Sequence, residues 1–494
     1  MTTTNLTSGS PLRLITLFAL PLLAGLVLQQ LYSFADAVVV GRTLGMDALA
    51  AVGASGSIMF LLLGFTMGMT NGFSIPVAKA FGAGDAAGVR RAVATGAALS
   101  AGAAVLLTLV GVPFSRQLLV WMATPASLLT DATTFLTVIF VGCASMIAFN
   151  FLSGIIRALG DSRTPLLFLT MSSLLNIALV VVLIRFVGMG VGGAALATVT
   201  AQLVTVFACL ALIARRLPAL RPQRADWRLR RGQVVESLHL GLPMGFNMSI
   251  IAIGALVLQY AINRLGSEAV AAFTAGSRVD QLAMTAFQAF GMATATYVAQ
   301  NRGAAQWSRI RQGVRSTLWL VTGISIAVGL ACMLWGQEMV RAFAGADAHA
   351  DAIVHDAHTL LLVNGGLYWM LALLFVLRSA LQGMGRSGVP TLSGVMELVL
   401  RSAAALLLVV PLGFLGACLA APLAWLGALV PLAIAWRLQV RDLVTRTDGE
   451  LVSADGALAP VDAERDAERD AAIPALAALA VEETGEPVVA AARA

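Results

Sequence analysis

The chain has 494 residues, of which 59% are hydrophobic and 12% are charged, and its mean hydropathy is +0.86. Soluble domains carry about 25% charged residues, so this composition excludes a soluble globular protein and indicates a polytopic membrane protein. The net charge of +6 comes from arginines scattered over short loops without interleaved aromatic residues, which argues against nucleic-acid binding. Four cysteines stand singly in apolar runs, which indicates buried hydrophobic residues and no metal or redox site.

Apolar segments long enough to cross a bilayer recur along the chain. A hydrocarbon core about 30 Å thick requires roughly 20 apolar residues per helix. The first segment lacks a cleavage site, so we interpret it as a membrane span and not as a removed signal peptide. The sequence predicts twelve transmembrane helices, at 14–40, 48–77, 92–113, 132–156, 165–184, 191–214, 234–263, 269–298, 314–336, 357–380, 389–411 and 413–436.

Basic residues are distributed unequally between alternate loops. Twenty lie on the side of the N-terminus and five on the opposite side, where the loop 337–356 is acidic. The positive-inside rule therefore predicts that both termini are cytoplasmic.

The two halves of the chain repeat one another. Leu-Pro at 20–21 recurs at 242–243, and the Gly-x4-Pro spacing at 160–165 recurs at 385–390. Each half contains six of the predicted spans. Because six is even, both copies enter the membrane from the same side. This arrangement predicts two pseudo-symmetric six-helix bundles, related by an axis along the membrane normal. The predicted organisation is an all-α N-terminal lobe at 1–214, a basic linker at 215–233, a C-terminal lobe at 234–440 and a disordered acidic cytoplasmic tail at 441–494.

The first predicted helix carries a polar stripe that includes an acid. Gln29, Tyr32, Ser33 and Asp36 recur at i, i+3, i+4 and i+7, which places them on one helical face. Polar groups within a lipid-embedded helix turn toward a cavity or toward other helices. Asp36 is therefore a candidate functional residue. The alternative is that it lies near the outer interface and is simply solvated.

Four stretches resemble the multidrug and toxic compound extrusion (MATE) family. They lie at 31–42, 157–165, 190–198 and 278–304, in the order that the family shows. The most similar subgroup holds bacterial DinF-like and MepA-like exporters. The resemblance implies a V-shaped antiporter of two six-helix bundles in the bacterial plasma membrane. Such a protein expels small amphiphilic, often cationic compounds in exchange for inward protons or sodium.

The resemblance also implies a cation site in the first lobe, formed by Asp36, Tyr32, Asn176 and Thr198. The family's Asn-Ile-x-Leu-Asp pattern ends here in Val180 instead of a carboxylate. Hard cations prefer several oxygen ligands, so with one acid left we favour protons over sodium as the coupling ion. Protonation of Asp36 is then the predicted coupling step. By residue type alone, Asn176 and Thr198 also fit helix-packing hydrogen bonds.

The second half carries charges within apolar sequence. Glu397 and Arg401 stand at i and i+4, which predicts a mutual salt bridge, although a gating or substrate-binding role stays open. Arg278 and Asp280 raise the same alternatives. Gln29 is a further candidate for gating or substrate contact in the first half.

Three other functions compete with proton-coupled export. A flippase for lipid-linked precursors, which the wider superfamily includes, requires several cations in the cleft, and only Arg278 and Arg401 are candidates. A membrane enzyme requires clustered acids or histidines at catalytic spacing, which the sequence lacks, so we expect no enzyme activity and no metal site. A channel is the third alternative, but a duplicated chain that carries its acid in only one lobe fits a transporter better. We expect a monomer with no cofactor besides the coupling ion.

Overall fold

The computed structural model describes residues 5–122, 124–344 and 350–452, and this part of the chain contains helices and no strand. The disordered tail was predicted to begin at residue 441, but residues 441–452 are helical. The rest of the predicted tail and residues 345–349 of the acidic loop lie outside the described residues. The α-helices are α1 Pro11–Leu44, α2 Met46–Ala54, α3 Gly56–Gly82, α4 Ala86–Trp121, α5 Ala126–Val141, α6 Cys143–Ala158, α7 Arg163–Val181, α8 Gly190–Arg216, α9 Arg231–Asn263, α10 Ser267–Gly303, α11 Trp307–Ala344, α12 Ala350–Gly383, α13 Gly388–Leu412 and α14 Phe414–Val452. A π-helical turn at Val182–Phe186 follows α7, and two 3-10 turns lie in the linker, at Pro218–Leu220 and Arg224–Trp227.

The predicted spans coincide with these helices. Ten described helices are long and apolar enough to cross a membrane, and the pair α5–α6, bent by 48°, counts as an eleventh span. The remaining predicted span is α10, whose polar residues include the buried Thr285, Thr294, Gln300 and Asn301. These side chains are turned inward, which accounts for the weaker apolar character of α10. The predicted all-α membrane architecture is confirmed.

Close packing joins the two halves at one end of the bundle. We call this end, where the linker and the helix ends at 82–86, 158–163, 303–307 and 383–388 lie, the linker side. A Cβ atom on Gly72 of α3 would lie 2.5 Å from Cα of Gly241 on α9. A Cβ atom on Gly68 would overlap the backbone of Met244 in the same way. The contact between α3 and α9 therefore depends on glycines.

Buried apolar residues follow the same division. One core cluster, on the linker side, unites Phe73 of the first half with Leu240 and Ala299 of the second. Nearer the opposite end, which we call the far side, the described clusters remain within one half each. The cluster around Leu136 is built from the first half and the cluster around Ala405 from the second. The two halves therefore share a core on the linker side and pack separately on the far side.

The residues before α1 strengthen the linker-side contact. Leu6 is fully buried, and its backbone N–H donates to Oε1 of Gln300 at 3.1 Å. The Leu6 carbonyl accepts from Nδ2 of Asn301 at 3.2 Å. Gln300 also donates through Nε2 to the carbonyl of Ala158 at 2.7 Å. Gln300 thus links the N-terminal segment, the first half and the second half.

Candidate functional site

The polar stripe of α1 is divided between two environments. Tyr32 and Asp36 are half-buried on a helix that packs against α7 and α8. Gln29 and Ser33 are exposed, and the Ser33 hydroxyl donates to the backbone carbonyl of Gln29 at 3.0 Å. Of the four stripe residues, Tyr32 and Asp36 are therefore the two that take part in a contact between helices.

Tyr32, Asp36, Asn176 and Thr198 lie together, and we call them the first-half cluster. Asn176 is 2% exposed and donates through Nδ2 to Oγ1 of Thr198 at 3.0 Å. That hydroxyl donates in turn to the carbonyl of Ala194 at 3.2 Å. The Tyr32 side chain lies beside Asn176 and Thr198 and close to the Asp36 carboxyl. Residues from α1, α7 and α8 thus form one polar group inside the first half.

Two buried oxygens in this cluster have no hydrogen-bond partner among the described residues. They are Oδ1 of Asp36 and Oδ1 of Asn176. A buried acceptor without a partner costs about 1–3 kcal/mol, and more when it is charged. A proton bound to the Asp36 carboxyl would neutralise it and supply a hydrogen-bond donor. A small cation would instead bind to the free oxygens as its ligands. The cluster is therefore chemically suited to hold a proton or a small cation.

Val180 occupies the position where the family pattern has a second carboxylate. Its side chain is fully buried in the far-side core cluster of the first half. Apolar packing has thus replaced a charge here, and Asp36 is the single acid of the first-half cluster.

Asp280 belongs to a separate buried group in the second half. Its Oδ1 accepts from the Tyr368 hydroxyl at 2.6 Å and from Nδ2 of Asn364 at 3.3 Å. We call these three residues the second-half cluster. Side chains two residues apart on a helix point in different directions. Arg278 accordingly points away from Asp280 and is exposed. Arg278 and Asp280 therefore do not form one site. Asn364 and Tyr368 were not predicted, although their i, i+4 spacing within apolar sequence was a usable signal.

Glu397 lies between two arginines in a group that we call the ion triad. Oε1 of Glu397 accepts from Arg401 at 2.8 Å, which is the predicted i, i+4 salt bridge, and Oε2 accepts from Arg378 at 2.8 Å. The twenty basic residues assigned from the sequence to loops on the side of the N-terminus included Arg378. This placement is wrong, because α12 continues to Gly383 and the Arg378 side chain is buried in the protein.

The formal charges of the ion triad and of Asp280 cancel. The triad alone has a net charge of +1, and Asp280 is close enough to Arg401 to interact with its charge. Charges in a low-dielectric interior are tolerated only when they are paired and hydrogen-bonded. The four side chains therefore form one electrostatic unit.

Arg401 stands at the repeat position of a first-half cluster residue. The number of residues that separates the two Gly-x4-Pro motifs along the chain also separates Asn176 from Arg401. Gly254 corresponds to Tyr32, because the two are separated by as many residues as the two Leu-Pro motifs. The arginine packs against this glycine, where an added Cβ would lie 3.4 Å from Cδ of Arg401. The second half thus holds a fixed cation at the position where the first half has Asn176, whose Oδ1 has no partner among the residues that the structure describes.

The described residues contain no group of three or more His, Cys, Asp or Glu side chains able to hold a metal ion. His358, at the edge of the acidic loop, contacts the carbonyl of Met333 through Nε2 at 3.0 Å. His355 is exposed.

Comparison with known proteins gives consistent matches. The sequence model of the MatE family matches residues 21–182 and 243–407. The probable multidrug resistance protein YoeA of Bacillus subtilis is 26% identical over 393 residues, which are 78% of this chain and 84% of that protein. The probable multidrug resistance protein YpnP of the same organism is 28% identical over 341 residues, 69% of this chain and 76% of that protein. A solved MOP superfamily transporter from Pyrococcus furiosus superimposes with a TM-score of 0.82 at 23% identity, covering 89% of this chain and 98% of its own.

Proposed function

The chain belongs to the MatE family of membrane transporters, and from this premise we propose that it is a secondary active antiporter coupled to protons. It exports small amphiphilic, often cationic compounds from the cytoplasm while protons move inward. The observation that carries this proposal is the first-half cluster, in which Asp36, its single acid, and Asn176 each have a buried oxygen that finds no partner within the described part of the chain.

Proton binding changes what the Asp36 carboxyl is able to do. Ionised, it only accepts hydrogen bonds, and its buried Oδ1 has none among the described residues. Protonated, the carboxyl is neutral and gains an O–H donor. Because Asp36 is half-buried where α1 packs against α7 and α8, protonation removes a charge from that contact and alters how α1 interacts with its neighbours. In the proposed cycle this change rearranges α1 and releases the substrate.

The packing of the two halves supports alternating access. The halves share a core on the linker side and pack separately on the far side, so access in this arrangement is from the far side. With the orientation predicted from the basic loops, the far side is extracellular. Asp36 lies in the far-side part of α1 and is then loaded with a proton from outside. The opposite state requires separation of the glycine contact between α3 and α9.

Sodium is the alternative coupling ion. A sodium site requires several oxygen ligands, and the first-half cluster offers a single carboxylate because Val180 replaces the second. Protonation needs only one basic oxygen. The ligand set therefore favours the proton.

A flippase for lipid-linked precursors is the alternative function within the same fold. A pyrophosphate group would have to be recognised by cations that are available to the substrate. Arg378 and Arg401 are instead paired with Glu397, so of the two predicted cleft cations only Arg278 is left exposed, and one cation is fewer than a pyrophosphate site requires. This pairing favours the exporter.

Reconstitution into liposomes tests the proposal. We expect an imposed proton gradient to drive uptake of a fluorescent cation such as ethidium, and a sodium gradient at equal pH to drive none. Asp36→Asn abolishes the proton-driven flux, whereas Asp47→Asn, which changes an exposed acid at the start of α2, keeps it. Flux driven only by sodium would refute proton coupling, and no flux under either gradient would refute the antiport proposal.

A further inference from the structure

A cavity of about 600 Å³ lies on the linker side of the first half. Its walls come from α4, α6, α8 and the linker, and neither α1 nor α7 contributes, so it is separate from the first-half cluster. Two facing helices supply small side chains instead of large ones, which leaves the space open. These small residues are Ala97, Ala101 and Ala104 of α4 and Ala144 and Ala148 of α6.

The cavity is apolar along its length and polar at one end. Along α4 its lining extends from Val93 to Ala104, which is roughly 16 Å at 1.5 Å per residue. Ser100 contributes the one hydroxyl group within the helical walls. The charged side chain of Arg221 and the indole of Trp227 both lie in the linker. This distribution matches a molecule with a long apolar chain and one polar head.

The mouth at the linker is held in place by specific contacts. Nε of Arg221 donates to the carbonyl of Ile213 at the end of α8, at 3.1 Å. Asp226, in the 3-10 turn that carries Trp227, forms an ion pair with Arg90 of α4 at 3.2 Å. The linker is thus fixed to two of the helices that line the cavity, which keeps Arg221 and Trp227 at its entrance.

The surroundings indicate that the occupant comes from the bilayer. Ala101 and Ala144 are exposed at the cavity wall, and other apolar side chains on the lining helices, Leu106 of α4 and Phe207 of α8, are each 62% exposed. Exposed apolar side chains on helices long and apolar enough to cross a membrane are suited to contact with lipid. Trp227 is 51% exposed, as is common for tryptophans at the membrane interface. The cavity therefore opens toward acyl chains, with its polar end at headgroup level.

We propose that this cavity binds one anionic phospholipid from the linker-side leaflet. An acyl chain lies between α4, α6 and α8, and the phosphate is held by Arg221. Arginine and phosphate form charge-assisted hydrogen bonds, which are the strong ones. The linker contains seven arginines between residues 215 and 231, which favours an anionic headgroup over a zwitterionic one. Through this lipid the linker between the two halves is attached to the first half.

Native mass spectrometry of the full chain in detergent tests the proposal. With equal amounts of phosphatidylglycerol and phosphatidylcholine present, we expect one retained phosphatidylglycerol per chain. Arg221→Gln weakens its retention about tenfold or more, as expected for the loss of a hydrogen bond between charged groups. Ala97→Leu fills the cavity and also removes binding, whereas Ala98→Leu, one residue away and outside the lining, does not.

Three results would overturn the site. Equal retention of both lipids by the unaltered chain would indicate annular lipid without selection. Equal retention by Ala97→Leu and Ala98→Leu would place the lipid elsewhere. If Ala97→Leu does not purify as a single species, a structure of the unaltered chain with brominated phosphatidylglycerol decides instead. Bromine density between α4, α6 and α8 supports the site, and an empty cavity refutes it. None of these measurements depends on transport, so they stand apart from the proposed antiport.

Discussion

The ion triad permits a quantitative prediction about charge balance. Glu397 accepts hydrogen bonds from Arg378 and Arg401, each at 2.8 Å, and all three side chains are at most 10% exposed. Glu397→Gln removes the anion and leaves two buried arginines, so the unit formed with Asp280 changes from neutral to a net positive charge. Breaking a buried ion pair in this way costs about 3–5 kcal/mol. We therefore expect the free energy of unfolding to fall by about that amount.

A second substitution separates charge from packing. Arg378→Met in the Glu397→Gln background leaves Arg401 opposite Asp280, and the unit is neutral again. We therefore expect the double variant to be more stable than Glu397→Gln alone, although it carries one more substitution. Non-additivity of 0.5–3 kcal/mol is typical for residues within one charged network.

The assay is unfolding of the purified protein in mixed micelles by increasing denaturing detergent. Glu338→Gln, which changes an exposed acid on α11, is the matched control and is expected to stay within about 0.5 kcal/mol of the unaltered chain. A Glu397→Gln variant as stable as the control would refute the reasoning, as would a double variant that is no more stable than Glu397→Gln alone. An unchanged stability with lost transport would instead assign Glu397 to gating or substrate binding.

Further predictions concern the contact between the halves and the choice of ion. Gly72→Ala places a methyl group 2.5 Å from Cα of Gly241, so it should abolish ethidium efflux without loss of expression. Gly64→Ala is the control, because its Cβ meets only an ordinary contact at 3.4 Å, and it should leave efflux unchanged. Equal efflux rates in the two variants would contradict the close packing of α3 and α9. Val180→Asp restores a second carboxylate beside the first-half cluster. Sodium, but not potassium, should then raise the melting temperature of this variant and not that of the unaltered chain. An equal response of both proteins to sodium would contradict the view that Val180 excludes it.

The helices were predicted from local signals, whereas the first-half cluster was predicted from one local signal, the polar stripe, together with the family resemblance. Apolar segments of sufficient length mark the spans, and the polar stripe with its family resemblance identifies Tyr32 and Asp36. The structure adds that only these two stripe residues face other helices, while Gln29 and Ser33 are exposed. Which side of a polar stripe contacts a neighbour depends on how the helix is rotated, and periodicity alone does not determine that rotation.

Features built from distant segments were missed. Arg378 resembles a loop residue at the end of a span, and only the position of α13 beside it reveals its pairing with Glu397. The partners of Asp280 lie on α12, more than 80 residues away. The linker-side cavity arises from alanines on two helices, and alanine in a membrane span carries no pattern that marks an open space. Each of these features depends on tertiary packing.

Proton release upon substrate binding tests the central claim most directly. If Asp36 carries the coupling proton, the substrate and the proton bind in competition, and linkage requires that each weakens the binding of the other. Ethidium added to the purified transporter in weakly buffered detergent solution, with a pH-indicator dye, should therefore release protons from the unaltered chain and from Asp47→Asn. Asp36→Asn should release none while it still binds ethidium by fluorescence anisotropy. Undiminished proton release from Asp36→Asn would show that another group carries the coupling proton, and the account would be wrong.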